Sequence, residues 1–292
     1  PLPEPVALPY PAETLEAVDD DPAKADEFDA ALVLTSDHVP VLLACEQALY
    51  GNLQELNGVP VRGTFAGVLE TADRRTGFVG QGLPHKRLDV EGIPERAPLS
   101  MGFKSGFHDN QASQDSVAIE SGPFQDGTTQ HISRLEIALE DWYGNDREAR
   151  VEKMFSPEHA AEGVGDAGER LADQSQISEV DVDRIPEDAT EHDRIGHTQK
   201  VAAARDETFE PLILRRSEGV STGSTTPGFN FSSVQRTIED FVEVRKAMNG
   251  DDVDVPDEEQ GIDPFLEVKH RANFLIPPRR LRALPPANPE AI

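Results

Sequence analysis

The sequence predicts an α+β fold made of two ferredoxin-like units, of the dimeric α+β barrel type, with the N-terminal unit cut short. Two observations carry this. Apolar runs of strand length alternate twice with segments of helical character, and the returns between them have the antiparallel kind of spacing. The 292 residues are also enough for two half-domains with a real core. The expected division is an N-terminal half over 1–100, a loop carrying the active site over 101–127, and a C-terminal half over 128–285. That second half carries an acidic insertion at 156–196, and a tail follows at 286–292.

Taken in order, residues 1–28 are rich in Pro, Asp and Glu and read as an irregular start with a short helix. "DAALVLTSD" (29–37) reads as a buried strand. "HVPVLLACEQALYG" (38–51) reads as a helix, with Asp37 as N-cap, Pro40 in the first turn and Gly51 as the stop. "PVRGTFAGVLET" (60–71) returns to extended character, and the Gly- and Pro-rich stretch 72–127 reads as a long loop. "TTQHISRLEIALEDW" (128–142) alternates as a strand, followed by a helix over 145–155. Strands are expected over 209–218 and 227–235. A helix is expected over 236–250, where Thr237 and Asp240 match a capping box. Its apolar stripe is Ile238, Phe241, Val242 and Met248. "FLEVKHRANFLIPP" (265–278) supplies the last strand.

Charge narrows the function. Acids outnumber bases 55 to 27, the formal net charge is −28, and there are 7 Lys against 20 Arg. A lysine-poor acidic surface suits molar salt, where the Debye length falls to about 3 Å, and points to a halophilic source. It argues against nucleic acid as a partner, because phosphate binding needs clustered Lys and Arg. Cys45 stands alone, which excludes an intrachain disulfide and a cysteine metal cluster; its apolar neighbours predict a buried small side chain. No run approaches about 18 apolar residues, so no integral membrane segment is expected. The chain starts at Pro1 without a methionine, so the first unit is expected to be truncated and any signal to lie outside the sequence. No HExxH spacing, P-loop, dinucleotide loop or nucleophile elbow is present.

Three pieces then resemble the dye-decolourising (DyP-type) peroxidase family. They are the loop "GFKSG" (102–106), the segment "IGHTQKVAAARDETFEPLILRRSEG" (195–219) and the pair "PGFNFSSVQRTIEDF" (227–241). The resemblance implies haem b held between the two halves, hydrogen peroxide as oxidant and an unidentified reducing substrate. It also implies extracytoplasmic placement by twin-arginine export. His197, set before the "LILRR" strand, is by resemblance the axial iron ligand; out of that context it reads as a surface histidine. Arg215 lies 18 residues further on (215 − 197). Strand alternation sends Arg215 and Arg216 to opposite faces without choosing between them, and the resemblance chooses Arg215 as the distal cation.

The same loop assigns Gly102, Phe103 and Gly106 to the cofactor wall, and His108 to its carboxylates. Ser105 stands where the family carries an aspartate. A hydroxyl can hold a water or a peroxide but is a poor base, so reduced activity is expected. Asp126, in "FQDGT", is the rival for that carboxylate, and Asp109 is a further candidate. His131 reads either as a pocket residue or as a satisfied core residue, and His159 as a solvated one. Asp263 or Glu267 is the candidate acceptor behind His197. The other two readings are a non-catalytic haem- or ligand-binding protein of the same fold, and a ferredoxin-like interaction module.

Overall fold

The computed structural model describes residues 24–103, 111–157, 182–219, 226–250 and 253–282. The short helix expected near the start falls outside them, as do Ser105, Gly106, His108, Asp109, His159, much of the acidic insertion and the tail.

The fold class is α+β. Two compact units are present: Phe28–Arg75, and the rest of the described chain. A boundary near residue 100 is therefore not observed. The reason is that Ile93, Ala97, Met101 and Phe103 bury themselves in one core with Ile137, Trp142 and Phe155 of the C-terminal half. The larger unit opens with β1 (Lys24–Ala25), which pairs in parallel with the last strand.

In the smaller unit, α1 (Val39–Tyr50) follows His38, which takes the N-cap position expected for Asp37. The Gly51 N–H bonds to Gln47 O and ends the helix. β2 (Glu55–Leu56) and β3 (Val59–Pro60) form a hairpin around Asn57 and Gly58, both at positive φ as a type I′ turn demands. Tyr50 packs on Phe65 at 5.8 Å, and Arg74 pairs with Glu46 at 2.7 Å. The strands expected over 29–37 and 60–71 do not form there. Leu32 and Val33 are more than half exposed. An apolar β-branched run becomes a strand only where a neighbouring strand runs alongside it; 29–37 has none among the described residues, and 60–71 keeps only its first residue in β3 and the bond from Val61 N to Gln54 O beyond it. Cys45 is half-buried rather than buried.

The larger unit continues with α2 (Leu83–Arg87), β4 (Thr128–Ile137), α3 (Leu139–Gly144) and α4 (Arg147–Met154). Next come α5 (Ile185–His192), α6 (His197–Ala203), β5 (Leu214–Gly219) and β6 (Gly228–Gln235). α7 (Ile238–Asn249) and β7 (Leu266–Ile276) complete it. The sheet order is β1-β7-β4-β6-β5, and every contact from β7 to β5 is antiparallel. Strands β4, β5, β6 and β7 thus lie in the 4-1-3-2 arrangement of a ferredoxin-like unit. Among the described residues this is the one such unit that is complete.

Local chemistry explains the elements. Asp146 caps α4 by accepting from Ala149 N at 2.9 Å. The capping box of α7 is formed: Thr237 N donates to Asp240 Oδ2 at 2.8 Å, and Asp240 N donates to Thr237 Oγ1 at 3.3 Å. Gly250, at φ 75, closes that helix. Its buried residues are Ile238, Phe241 and Val244, with Val242 and Met248 partly buried beside them. The described end of the acidic insertion is anchored in a core of its own. Ile185 and Ala189 of α5 are buried against Ile195 and Ala202.

Candidate functional site

The site grows from the edge strand of the sheet. β5 pairs only with β6, so the outer backbone groups of β5 need other partners. Residues following the "GFKSG" loop supply them. Gln111 Oε1 accepts from Arg215 N at 2.7 Å, and Ala112 N donates to Ile213 O at 3.1 Å. At the loop's other end, Trp142 Nε1 donates to Met101 O and Tyr143 Oη donates to Ser100 O. Both anchors of the loop are therefore fixed, one of them directly on Arg215.

Arg216 is exposed, whereas Arg215 is half-buried. Burial lowers the pKa of the Arg215 guanidinium, and the positive charge of Arg205 lowers it further. Among the described residues no carboxylate forms an ion pair with Arg215. Its cross-strand partner is Ser233, which in turn faces His131, and His131 faces Asn273. One polar residue per strand thus forms a row across four strands on one face. α7 lies over this face, with Phe241 stacked on His131 at 3.8 Å between ring centres.

His131 is a satisfied core residue rather than a pocket residue. It donates Nδ1–H to Asn273 Oδ1 at 2.7 Å, and its Nε2 accepts from the Ser133 hydroxyl. Burial pushes its pKa down to about 3, aided by the charges of Arg271 and Arg245, so it stays neutral.

His197 opens α6. Gly196, the residue before it, donates its N–H to Gln199 Oε1 at 2.8 Å. Glycine is required there because a Cβ would lie 1.9 Å from Phe155 O. Gly261 fits as closely on the other side, where a Cβ would lie 2.8 Å from His197 N. That segment is held by Lys200, whose buried Nζ donates to Gln260 O at 2.9 Å and Asp263 Oδ2 at 2.7 Å. His197 Nδ1 is sealed from solvent and has no hydrogen-bond partner. Burial lowers the His197 pKa to about 3, and the charges of Arg215, Lys200 and Arg245 add to this. The structure thus brings His197 and Arg215 within electrostatic reach of each other.

The remaining candidates are placed elsewhere. Asp126 sits at φ 66 in a surface turn, three-quarters exposed, 3.7 Å from the Arg280 guanidinium. That is the position of a turn residue, not of a proton shuttle. Gly102, at φ 89, fits against Tyr143 Oη and Pro94. Phe103 is a core side chain, edge-on to Trp142 and Phe155. Asp263 takes Lys200, and Glu267 pairs with Lys269, so neither bonds to His197. Sequence reading passed over Ser233 and Arg245. The alternation of "FNFSSVQ" puts Ser233 on one face with Phe229 and Phe231, but only strand register sets it opposite Arg215.

No helix among the described residues is long and apolar enough to cross a membrane. None of their His, Cys, Asp and Glu side chains group in threes able to hold a metal ion.

Fold and site together define an α+β protein in which a half-buried arginine on an edge strand lies within electrostatic reach of a neutral histidine at a helix start. The chain belongs to DUF7405, a family of unknown function whose profile matches residues 1–278. No curated protein matches it. Among solved structures it is similar to a dye-decolorizing protein from V. cholerae, at 17% identity and TM-score 0.44, covering 71% of this chain and 56% of that one. A dye-decolorizing peroxidase from Bacteroides thetaiotaomicron gives 13% identity and TM-score 0.42, covering 61% and 50%. DyPB from Rhodococcus jostii gives 14% identity and TM-score 0.44, covering 63% and 52%. The chain spans about half the length of these structures.

Proposed function

We propose that this protein binds haem b and acts as a haem-dependent peroxidase of the dye-decolourising type, using hydrogen peroxide to oxidise a donor. The observation that carries the reading is a neutral imidazole, its Nδ1 buried without a partner, within electrostatic reach of a half-buried guanidinium that pairs with no carboxylate among the described residues. The residues fit the group. A ring nitrogen without a protein partner is what an iron ligand needs, and neutral imidazole is the ligating form. The cations Arg215 and Arg245 near His197 suit the carboxylates of the porphyrin.

When bound, haem supplies the redox chemistry of peroxide cleavage. The protein's part is to hold, orient and exclude water. α6 would present the His197 imidazole to the iron, its start locked by Gly196 and Gly261. Arg215 would hold an oxygen ligand and stabilise charge as the O–O bond breaks. Ser105 would hold a water or the peroxide by hydrogen bonds without being a good base. The charge balance adds the proposal that all this operates at high salt.

A second reading is a haem- or ligand-binding protein without turnover. The placement of Asp126 on the surface favours it, because that candidate shuttle is then removed from the site. One experiment separates the readings. Haemin is added to wild-type protein and to His197→Ala, and the visible spectrum is recorded before and after peroxide. The proposal expects a Soret band that His197→Ala abolishes or shifts to that of loosely held haem. An unchanged spectrum in the variant overturns the ligand assignment. A normal Soret band with no response to peroxide supports the second reading.

A further inference from the structure

On one side of the sheet the buried atoms Ser233 Oγ, Gln235 Oε1 and Asn273 Nδ2 have no hydrogen-bond partner. Buried polar atoms are nearly always paired, so such a group marks a place for a further polar molecule. Of these, Ser233 is the one whose direct cross-strand partner is a cation. Its cross-strand partner on the edge side is Arg215. Because Arg215 N points outward to Gln111, these two form a non-hydrogen-bonded pair, the kind whose side chains stand close together. On the inner side Ser233 faces His131, whose ring nitrogens are both taken by Asn273 and Ser133. The hydroxyl is therefore 1% exposed, next to a cation, and unused.

We propose that Ser233 Oγ and the Arg215 guanidinium together seat a small oxyanion of carboxylate type. The guanidinium supplies charge and a planar donor fork, and the hydroxyl supplies a further donor. No described carboxylate pairs with Arg215 to compete, since Asp263 is taken by Lys200. The seat lies in the site of the proposed function and rests on that reading only for its role, which is to hold an oxygen ligand or an acidic substrate there. It makes Ser233 a ligand-contacting residue.

The test is calorimetric titration of sodium formate into the full-length protein at fixed sodium chloride, with and without bound haemin. Wild type is expected to bind one formate. Ser233→Ala should weaken binding about tenfold, the scale of one hydrogen bond to a charged group. Ser233→Thr should keep most of the affinity, and Arg215→Leu should remove it, whereas Arg216→Leu should not. Ser233→Ala should also melt at the same or a higher temperature, because an unpaired buried hydroxyl is lost. A merely structural serine would instead lower the melting temperature and leave formate binding alone, and that outcome overturns the proposal. So does wild-type protein that takes up no formate. Formate binding that disappears when haemin is loaded would mean that a porphyrin carboxylate uses the seat, and would overturn a seat for free anions. Failure of haemin to bind while formate still binds in a Ser233-dependent way would sink the haem reading and leave this proposal standing.

Discussion

Replacing Gly196 with alanine tests how tightly the candidate ligand is held. The added Cβ would sit 1.9 Å from Phe155 O and 2.3 Å from Phe155 C. Ordinary contact begins at 3.4 Å, so the two backbones must separate by about 1.5 Å (3.4 − 1.9). Neither can yield cheaply. Phe155 is fully buried in the aromatic core, and Gly196 precedes a helix whose Lys200 is clamped to Gln260 and Asp263. Overpacking typically costs 1–3 kcal/mol, and a backbone-to-backbone clash belongs at the upper end, about 3 kcal/mol. In a chain of this size that is a fall in Tm of roughly 6–12 °C. The control is Gly144→Ala, where a Cβ meets nothing within 4 Å and φ is not positive. It should be neutral or stabilising by about 0.4–1 kcal/mol. Urea unfolding of both variants gives the stability difference, and haemin titration follows His197, the next residue in the chain. Equal midpoints for the two variants would refute the argument that the Phe155 carbonyl fixes the start of α6.

Three further outcomes are expected. In unfolded chains His131 takes up a proton near pH 6.5, but in the fold only near pH 3; stability is thus complete above pH 6.5 and lost as pH falls, by about 1.4 kcal/mol per unit. His131→Gln lacks that loss, so its deficit in urea unfolding should shrink by about 2 kcal/mol between pH 7.5 and pH 5, and a constant deficit would contradict a neutral buried His131. Lys200→Met should cost about 3 kcal/mol, at the low end for breaking a buried pair because Asp263 keeps contact with water; a loss under 1 kcal/mol would show that Lys200 does not clamp the Gln260–Asp263 segment. Dilution from molar to about 10 mM salt should weaken the circular dichroism signal and lower the Tm, since the Debye length then reaches about 30 Å and a net charge of −28 repels itself; an unchanged melting curve would remove the case for a halophilic protein.

How much of the fold was legible varies with how much each element depends on its neighbours. β4, β6, β7 and α7 carry their own signals, in two-residue alternation and a capping box, and they form where those signals lie. The run 29–37 carries an equally apolar signal, but a strand also needs a partner, and no pattern within the run reports one. The Asn57–Gly58 hairpin was a readable turn signal that the longer extended stretch beside it obscured. α6 escaped because seven residues give less than two turns, too few for a period to show. α5 escaped because its acidic residues hide the two side chains, Ile185 and Ala189, that hold it in the core.

The site was legible as residue types and not as geometry. Which of two adjacent arginines turns inward is decided by the pairing of β5 with β6, and Ser233 becomes a neighbour of Arg215 through the same register. A further property needs sequence and structure together. Only 7 lysines occur in the chain, yet two of them, Lys153 and Lys200, are buried. Lys153 donates to Glu258 O and Glu259, and Lys200 donates to Gln260 O and Asp263. Both therefore hold one short acidic segment, and Gly261 in its middle abuts the backbone of His197. In a chain poor in lysine, these two stand where a compact, directional ammonium fixes a loop from within. The ends of that loop are tied down by charge and its centre carries no side chain. That combination lets the chain pass close against the backbone of His197 and so set where α6 begins.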